Sequence, residues 1–298
     1  METQAPRKPW YRRGRYIVLV IFVVALLVVY LLAFVFTPPP SPTQVRLNMA
    51  IDYFANNYNE TTGLIPETPG SQTFWLYSDN YLAALAISRY DPSNQSTSGF
   101  ATSLNVAFEG YLSTLPGSLA RSQYTALNST SAYFDCSTNY SIGWTSKGQL
   151  APSGSAVIMT TSNSGSPSCA SQNYADLLFL QALYYHRIGN SNESSTYFNL
   201  ATADFDGKGL VDSAFNGTLY QTYKLALYLY ASSCLGHASG SSFSAANNTL
   251  WAMQDTSTGG FYTGYNSAFS PSGTTVNTET TALAALAIEQ LIRPSSSC

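Results

Sequence analysis

The stretch Gly63–Tyr90, GLIPETPGSQTFWLYSDNYLAALAISRY, decides the fold of this chain. A loop punctuated by Pro and Gly ends at Ser78-Asp79-Asn80, three residues of the types that favour helix N-termini. An apolar, Ala-rich run from Tyr81 to Ile87 follows at once. Because a helix that is apolar all round packs on every side, this stretch predicts an inner helix of a larger helical assembly.

Apolar helices of this kind recur along the chain, each preceded by an amphipathic one. The predicted inner helices are 80–89, 174–187, 219–233 and 278–292, and the predicted outer helices are 46–58, 100–112, 195–203 and 243–253. The outer helices begin about 50 residues apart, except for one interval of about 95. The repeat is therefore an αα-hairpin, and one copy carries an insertion at about 116–172 with short strand-like pieces such as Ala156–Thr160.

The turn within the hairpin also repeats. Three outer helices end in a polar cluster followed by Gly and an apolar residue: Asn59-Glu-Thr-Thr-Gly63-Leu64, Asp206-Gly-Lys-Gly209-Leu210 and Asp255-Thr-Ser-Thr-Gly-Gly260-Phe261. Gly63, Gly209 and Gly260 are expected to adopt the left-handed conformation that ends a helix.

Trp251-Ala-Met-Gln254 followed by Gly259-Gly260-Phe261 resembles the QW-type repeat of terpene-cyclase toroids. Over roughly residues 44–293 the pattern of hairpins resembles the (α/α) toroid that these proteins share with six-hairpin glycosidases. The resemblance implies an all-α fold, an (α/α) toroid of αα-hairpins. Four recognisable hairpins are fewer than the usual six, so a partial toroid is the alternative, and a shared fold does not fix function.

The N-terminal part of the chain predicts a membrane anchor. Ile17–Phe36 contains 20 residues without a charge, which is enough to span a hydrocarbon core of roughly 30 Å. The basic segment 1–16 keeps the N-terminus cytoplasmic by the positive-inside rule, and 37–43 is a Pro-rich stalk. A cleaved signal peptide is the alternative, although its apolar region is usually about 7–15 residues long. We expect a single-pass protein of the cell membrane with residues 44–298 extracellular.

Charge and composition support the extracellular expectation. Charged residues make up 10% of the chain, and beyond residue 36 there are 8 basic and 15 acidic residues. Such an acidic domain is not expected to bind nucleic acid, and the expected partners are the membrane through 17–36 and glycans or other envelope proteins. Seven Asn-x-Ser/Thr sequons predict glycosylation, at Asn59, Asn94, Asn128, Asn139, Asn192, Asn216 and Asn247.

Four cysteines in an oxidising compartment predict two disulfides. Cys136 and Cys169 bracket much of the insertion, and Cys234 and Cys298 follow neighbouring inner helices, so we predict the pairs 136–169 and 234–298. The cysteines lack CxxC spacing and the two histidines lack a nearby second ligand, so no metal and no cofactor is predicted.

The predicted site is the end of the assembly at which the inner helices begin. Asp79, Asp176 and Glu279 open three of those helices, and Glu67 lies in the approach loop, so these four are the candidate acids and bases. The aromatic residues expected to line the same mouth and bind a ligand are Trp75, Tyr77, Tyr81, Tyr174, Tyr262 and Tyr265. Carboxylates beside aromatic rings suit sugars, whereas the competing explanation is that the polar residues are helix caps.

Two functions fit this pattern. One is a membrane-anchored, glycosylated surface protein that acts as a structural, accessory or glycan-binding module. The alternative is a glycoside hydrolase-like enzyme with paired carboxylates, which would bring Asp79 and Glu279 together where the first and last inner helices meet. Serine hydrolase, zincin and P-loop motifs are absent from the sequence.

Overall fold

The computed structural model describes residues 18–28, 41–71, 75–90, 95–112, 119–120, 123–128, 139–151, 154–167, 173–273, 275–294 and 298. The chain divides into two compact units, Met1–Pro42 and Thr43–Cys298. In the first unit, residues 18–28 form helix α1. Residues 17 and 29–36 of the predicted membrane helix, and most of the stalk, lie outside the described residues. Nowhere in these described ranges is a helix both long enough and apolar enough to cross a bilayer.

The second unit is predominantly helical in its described residues, as the sequence predicts. Its helices are α2 Pro42–Asn57, α3 Tyr77–Tyr90, α4 Gln95–Leu112, α5 Ala175–Arg187, α6 Ser191–Ala203, α7 Thr222–Cys234, α8 Ser241–Ala252 and α9 Thr278–Ile292. The contrast between inner and outer helices is confirmed, because α9 buries 12 of its 15 residues whereas α6 buries only Ser194, Phe198 and Ala201.

The inner helices pack in the order α5, α7, α9 and α3. The outer helices α4, α6 and α8 pack on α3, α5 and α7 respectively. Because an outer helix returns the chain between successive inner helices, the inner helices can run in the same direction and begin at one end of the unit. The first and last inner helices, α3 and α9, are neighbours, as the sequence predicts.

Of the predicted helix starts only that of α9 is matched, and the others differ by one to five residues; two of these differences concern inner helices that carry the candidate site or lie beside it. Helix α3 begins at Tyr77, so Ser78, Asp79 and Asn80 lie inside its first turn. Helix α7 begins at Thr222 because Tyr220–Gln221 forms a short strand, β4, that pairs with the strand β6, Gly264–Tyr265. A second short pair joins β5, Phe261–Tyr262, to β7, Val276–Asn277.

The repeated turn has the same backbone pairing in three hairpins. A single antiparallel bridge closes each turn, and the bridges are Asn59 to Leu64, Phe205 to Leu210 and Gln254 to Phe261. Gly63 has the predicted positive φ of 71°. Gly260 is instead required for space, because a Cβ atom there would lie 2.7 Å from the ring of Tyr53, and the positive φ belongs to Gly259.

The predicted insertion contains longer strands than expected. Strands β2, Asn139–Ala151, and β3, Gly154–Pro167, form an antiparallel hairpin, and the short strand β1, Leu119–Ala120, pairs with the other side of β3. The sequence predicted only short pieces because backbone pairing can hold Ser-, Thr- and Gly-rich strands together without an apolar pattern.

A 3₁₀ turn, Gln123–Leu127, joins the two ends of the row of inner helices; we call it the bridging turn. Arg89 of α3 and Arg187 of α5 both donate to the Leu127 carbonyl oxygen, at 2.9 and 2.5 Å. Arg187 Nε also donates to the Ala126 carbonyl at 3.0 Å. Because Ala126 and Leu127 are fully buried, the turn is an integral part of the core.

The Cys234–Cys298 disulfide is confirmed, with the two Cα atoms 5.5 Å apart. It fastens the chain end beyond α9 to the end of α7, its neighbour. The other predicted pair, Cys136 and Cys169, lies outside the described residues.

Candidate functional site

The approach loop before α3 is held at the start of two inner helices. Asn80 is fully buried, and its side chain accepts from the Ile65 amide at 2.8 Å and donates to the Ile65 carbonyl at 3.0 Å. On the other side, Thr278 of α9 donates its amide to the Glu67 carbonyl and its hydroxyl to the Pro66 carbonyl, at 2.9 and 2.6 Å. Glu67 is therefore fixed beside the start of α9.

The structure brings the four predicted carboxylates into one electrostatic cluster, which we call the acidic mouth: Glu67, Asp79, Asp176 and Glu279. Besides burial, the charges of Glu279 and Glu67 raise the pKa of Asp79, and the charges of Asp176 and Glu67 raise the pKa of Glu279. Three of the four residues lie in the first turns of α3, α5 and α9. Their convergence follows from the common direction of the inner helices.

Asp79 is the buried member of the acidic mouth, with 1% of its surface exposed. Ser78 Oγ donates to Asp79 Oδ1 at 3.1 Å, whereas no described group hydrogen-bonds to Oδ2. Burial, with smaller contributions from Glu279 and Glu67, raises the pKa of Asp79 well above its usual range. Its burial means that Asp79 does not offer its carboxyl group to a ligand at the surface, contrary to the predicted pairing of Asp79 and Glu279 as acid and base.

Glu279 is partly exposed and is held by the bridging turn. The Tyr124 hydroxyl donates to Glu279 Oε1 at 2.6 Å, and Tyr124 itself is 2% exposed. Burial raises the pKa of Glu279, the Tyr124 hydrogen bond opposes that rise, and the charges of Asp176 and Glu67 add to it. The net result is a raised pKa for Glu279, which is the direction that an acid catalyst needs.

Asp176 is the member of the acidic mouth that lies beside a cation. Lys224 Nζ is 3.7 Å from Asp176 Oδ1 and 2.5 Å from Asp212 Oδ2. Burial raises the pKa of Asp176, the charge of Lys224 opposes that rise and the charge of Asp212 adds to it, so the pKa is raised overall. The Tyr223 hydroxyl donates to Asp176 Oδ2 over a long 3.5 Å. Among the described residues, Asp176 is therefore the only member of the acidic mouth that contacts a lysine.

The predicted aromatic residues are divided between core and surface. The rings of Trp75, Tyr77 and Tyr265 are at most 3% exposed, so these three offer no face for a sugar to stack on, which corrects the sequence prediction. Tyr265 instead donates its hydroxyl to the Lys208 carbonyl at 2.8 Å. The remaining three are at least partly exposed: Tyr81, Tyr174 and Tyr262.

Four residues near the acidic mouth were missed by sequence reasoning: Tyr124, Asp212, Tyr223 and Lys224. Lys224 carried a signal, because a lysine in an apolar helix requires a buried carboxylate partner. No sequence signal marked Tyr124, because it lies in a Ser- and Thr-rich insertion with no helical or strand pattern. In the described part of the chain, no three His, Cys, Asp or Glu side chains are placed to share a metal ion.

No known protein family, curated protein or solved structure matches this chain. The acidic mouth is therefore the feature of the molecule that indicates a function.

Proposed function

We propose that residues 43–298 form a partial (α/α) toroid and act as a glycoside hydrolase-like, carbohydrate-active enzyme. The observation that carries the proposal is the convergence of four carboxylates from separate parts of the chain at the starts of the inner helices. Helix caps alone do not explain a cluster in which burial and like charges raise the pKa of both Asp79 and Glu279. The row of four inner helices, with its ends joined by the bridging turn, supports the toroid.

Glu279 and Asp176 are the proposed catalytic pair. Glu279 is partly exposed and its pKa is raised by burial, so we assign it as the general acid that protonates the glycosidic oxygen as the bond to the anomeric carbon breaks. Asp176 lies 3.7 Å from Lys224, whose positive charge opposes the rise in the Asp176 pKa that burial causes. We therefore assign Asp176 as the base that takes a proton from the attacking water. Asp79 is a positioning residue, and Glu67 adds negative charge beside the acid.

The stereochemical outcome depends on the separation of the two carboxyl groups, because inverting enzymes have separations of about 6.5–9.5 Å and retaining enzymes about 5–5.5 Å. The Tyr223 hydroxyl hydrogen-bonds to Asp176, and the charge of Glu279 also acts on Tyr223. Proton NMR of the first product formed would distinguish an inverted from a retained anomer.

The test is hydrolysis by the full-length protein, purified in detergent, against a panel of envelope polysaccharides and oligosaccharides. Glu279→Gln and Asp176→Asn are expected to bind the substrate and to lose at least a hundredfold in turnover. The matched control is Asp52→Asn, which changes an exposed residue of α2 and should keep full turnover. Failure of the unsubstituted protein to cleave any member of the panel would contradict the enzymatic proposal.

A second candidate function is a non-catalytic structural or glycan-binding module. The burial of Asp79 and of the Trp75, Tyr77 and Tyr265 rings favours it, because these side chains then serve the core. Glycan binding without turnover, unchanged in Glu279→Gln, would support this candidate.

The proposed location is the cell surface, with residues 17–36 as the anchor. The Cys234–Cys298 disulfide supports an oxidising compartment. Protease added to intact cells should remove the domain and leave an N-terminal tag intact. A protected domain would contradict this orientation.

A further inference from the structure

The start of α5 is held by a carboxylate from another part of the chain. Tyr174, at the N-cap position, makes no capping hydrogen bond through its side chain. Instead, the Ala175 amide donates to Asp212 Oδ2 at 2.8 Å, and the Ala214 amide donates to Asp212 Oδ1 at 3.0 Å. Because Asp176 directly follows Ala175 in the chain, Asp212 also fixes the backbone from which the Asp176 side chain extends.

Lys224 joins Asp212 to the Asp176 side chain. Its Nζ atom lies 2.5 Å from Asp212 Oδ2 and 3.7 Å from Asp176 Oδ1. The side chains of Lys224 and Asp212 are 2% and 1% exposed, whereas that of Asp176 is 14% exposed. One ammonium group therefore connects a buried carboxylate to a carboxyl group that reaches solvent.

Stability alone does not account for a lysine at this position. Lys224 precedes the buried run 225–227 of α7, and apolar side chains that replace a buried ion pair often leave stability unchanged or improve it. The Asp176 carboxyl group has few other contacts to orient it. Its Oδ1 atom has no hydrogen-bond partner among the residues that the structure describes, and the bond from Tyr223 to its Oδ2 atom is 3.5 Å long.

We propose that Lys224 and Asp212 are positioning residues for Asp176, the proposed base. Asp212 holds the start of α5, and Lys224 holds the Asp176 carboxyl group where it can accept a proton from water. This inference rests on the proposed enzymatic function and adds to it two residues that do not touch the substrate.

The two positioning residues act on Asp176 with opposite signs. Burial raises the pKa of Asp176, the charge of Lys224 opposes that rise and the charge of Asp212 adds to it. Other titratable groups interact electrostatically with Asp176 from the bridging turn, α7 and α9: Tyr124, Tyr223 and Glu279. Substitution of Lys224 or Asp212 leaves those three groups in place, so the sign of each effect can be measured separately.

The test is the pH dependence of kcat/KM for the full-length protein in detergent, with a polysaccharide that it cleaves. Lys224→Met should move the acid limb of the profile to higher pH and lower kcat/KM about tenfold on that limb. Asp212→Asn should move the same limb to lower pH, because the ammonium group then has Asp176 as its remaining carboxylate partner. The control Lys208→Met removes an exposed lysine and should leave the profile unchanged.

A purely structural ion pair would give a different result. The double variant with Lys224→Met and Asp212→Asn removes both buried charges together. It should unfold at the same urea concentration as the parent, yet lose about tenfold in kcat with KM unchanged, because the base is no longer oriented. A double variant with unchanged kcat would overturn the proposal, and so would acid limbs that move in the same direction in the two single variants. If Lys224→Met does not fold, Asp212→Asn and the double variant still decide.

A measurement without turnover separates this inference from the proposed function. Carbon-13 NMR should show the Asp176 carboxyl group, assigned with Asp176→Asn, titrating at higher pH in Lys224→Met and at lower pH in Asp212→Asn. If no polysaccharide is cleaved but the titrations move apart in this way, the enzymatic proposal fails and the control of Asp176 by Lys224 and Asp212 stands. If a polysaccharide is cleaved and neither titration moves, the positioning proposal is overturned and the enzymatic proposal stands.

Discussion

The Tyr124 hydroxyl donates a 2.6 Å hydrogen bond to Oε1 of Glu279, a residue 155 positions away in the chain. The contact joins the bridging turn to the acidic mouth, while the other end of the same turn accepts hydrogen bonds from Arg89 and Arg187. The insertion is therefore part of the core, and its conformation bears directly on the proposed acid.

Replacement of Tyr124 by Phe should lower the free energy of unfolding by about 1–2 kcal/mol, because a short hydrogen bond to a carboxyl group is lost. Since that bond lowers the pKa of Glu279, the pKa should rise further in the variant. Urea unfolding at neutral pH measures the first effect. Tyr223→Phe is the matched control and should cost less, because its bond to Asp176 is 3.5 Å long; an equal loss would show that Tyr124 has no special role.

Asp79→Asn should make the domain more stable than the unsubstituted protein at neutral pH. The folded pKa of Asp79 is raised above its ordinary value of 3.8, so its contribution to stability is fully present below that value and is lost as pH rises through the folded pKa. Asn cannot ionise and avoids this loss. The difference between variant and parent in urea unfolding should therefore grow as pH rises from about 4 to 7.

Asp255→Asn is a control for which the expected change in stability at neutral pH has the opposite sign. Burial alone would raise the pKa of Asp255, but hydrogen bonds from Ser257 and Thr258 outweigh burial and lower it. Its stabilising effect is present above the ordinary value and is lost as pH falls through the folded pKa, so this substitution should destabilise the domain at neutral pH. If the stability differences of the two variants from the parent change with pH in the same direction, the raised pKa assigned to Asp79 is wrong.

Arg187→Lys should destabilise the domain by about 1–3 kcal/mol, because lysine cannot reproduce the two-nitrogen contact with the Ala126 and Leu127 carbonyls. Thermal and urea unfolding would measure the change. Arg293→Lys is the comparison, since its hydrogen bond to the Tyr90 carbonyl is exposed, and a change within about 0.5 kcal/mol is expected. Equal effects would mean that the bridging turn contributes little to the core.

Replacement of both Cys234 and Cys298 by Ser should cost about 2–4 kcal/mol, because the bond closes a loop with a sequence separation of 64. Non-reducing peptide mapping should recover this link, and it would also test the 136–169 pair predicted from the sequence. A mapped link between Cys234 and either insertion cysteine would contradict the structure.

Among the seven predicted glycosylation sites, exposure separates good acceptors from a poor one. Asn192 and Asn216 are exposed and should carry glycans. Asn247 lies inside α8 with its Oδ1 atom buried, and Thr249 of the same sequon is 6% exposed, so a glycan there would disturb packing. Glycopeptide mass spectrometry should find Asn192 and Asn216 modified and Asn247 bare; a fully occupied Asn247 would contradict this.

The other sequons are less decisive. Asn128 is exposed and Asn59 is partly buried. Asn94 and the side chain of Asn139 lie outside the described residues.

The sequence alone determined the helices and which of them are inner. The spacing of apolar residues and the polarity of each helix face carry this information locally. A helix that is apolar all round, as in 278–292, requires burial on every side. The sequence also placed Asp79, Asp176 and Glu279 at helix starts, and it predicted the Cys234–Cys298 pair from the order of the helices.

Tertiary structure decided which of these carboxyl groups is accessible and what surrounds it. The burial of Asp79, the ion pair of Lys224 and the contact between Tyr124 and Glu279 all depend on the packing of segments that are distant in the chain. A local pattern such as Ser78-Asp79-Asn80 predicts a helix start, but it does not specify which neighbour will cover it. Burial and charge at the acidic mouth are sums over several helices, and for that reason only the folded chain fixes them.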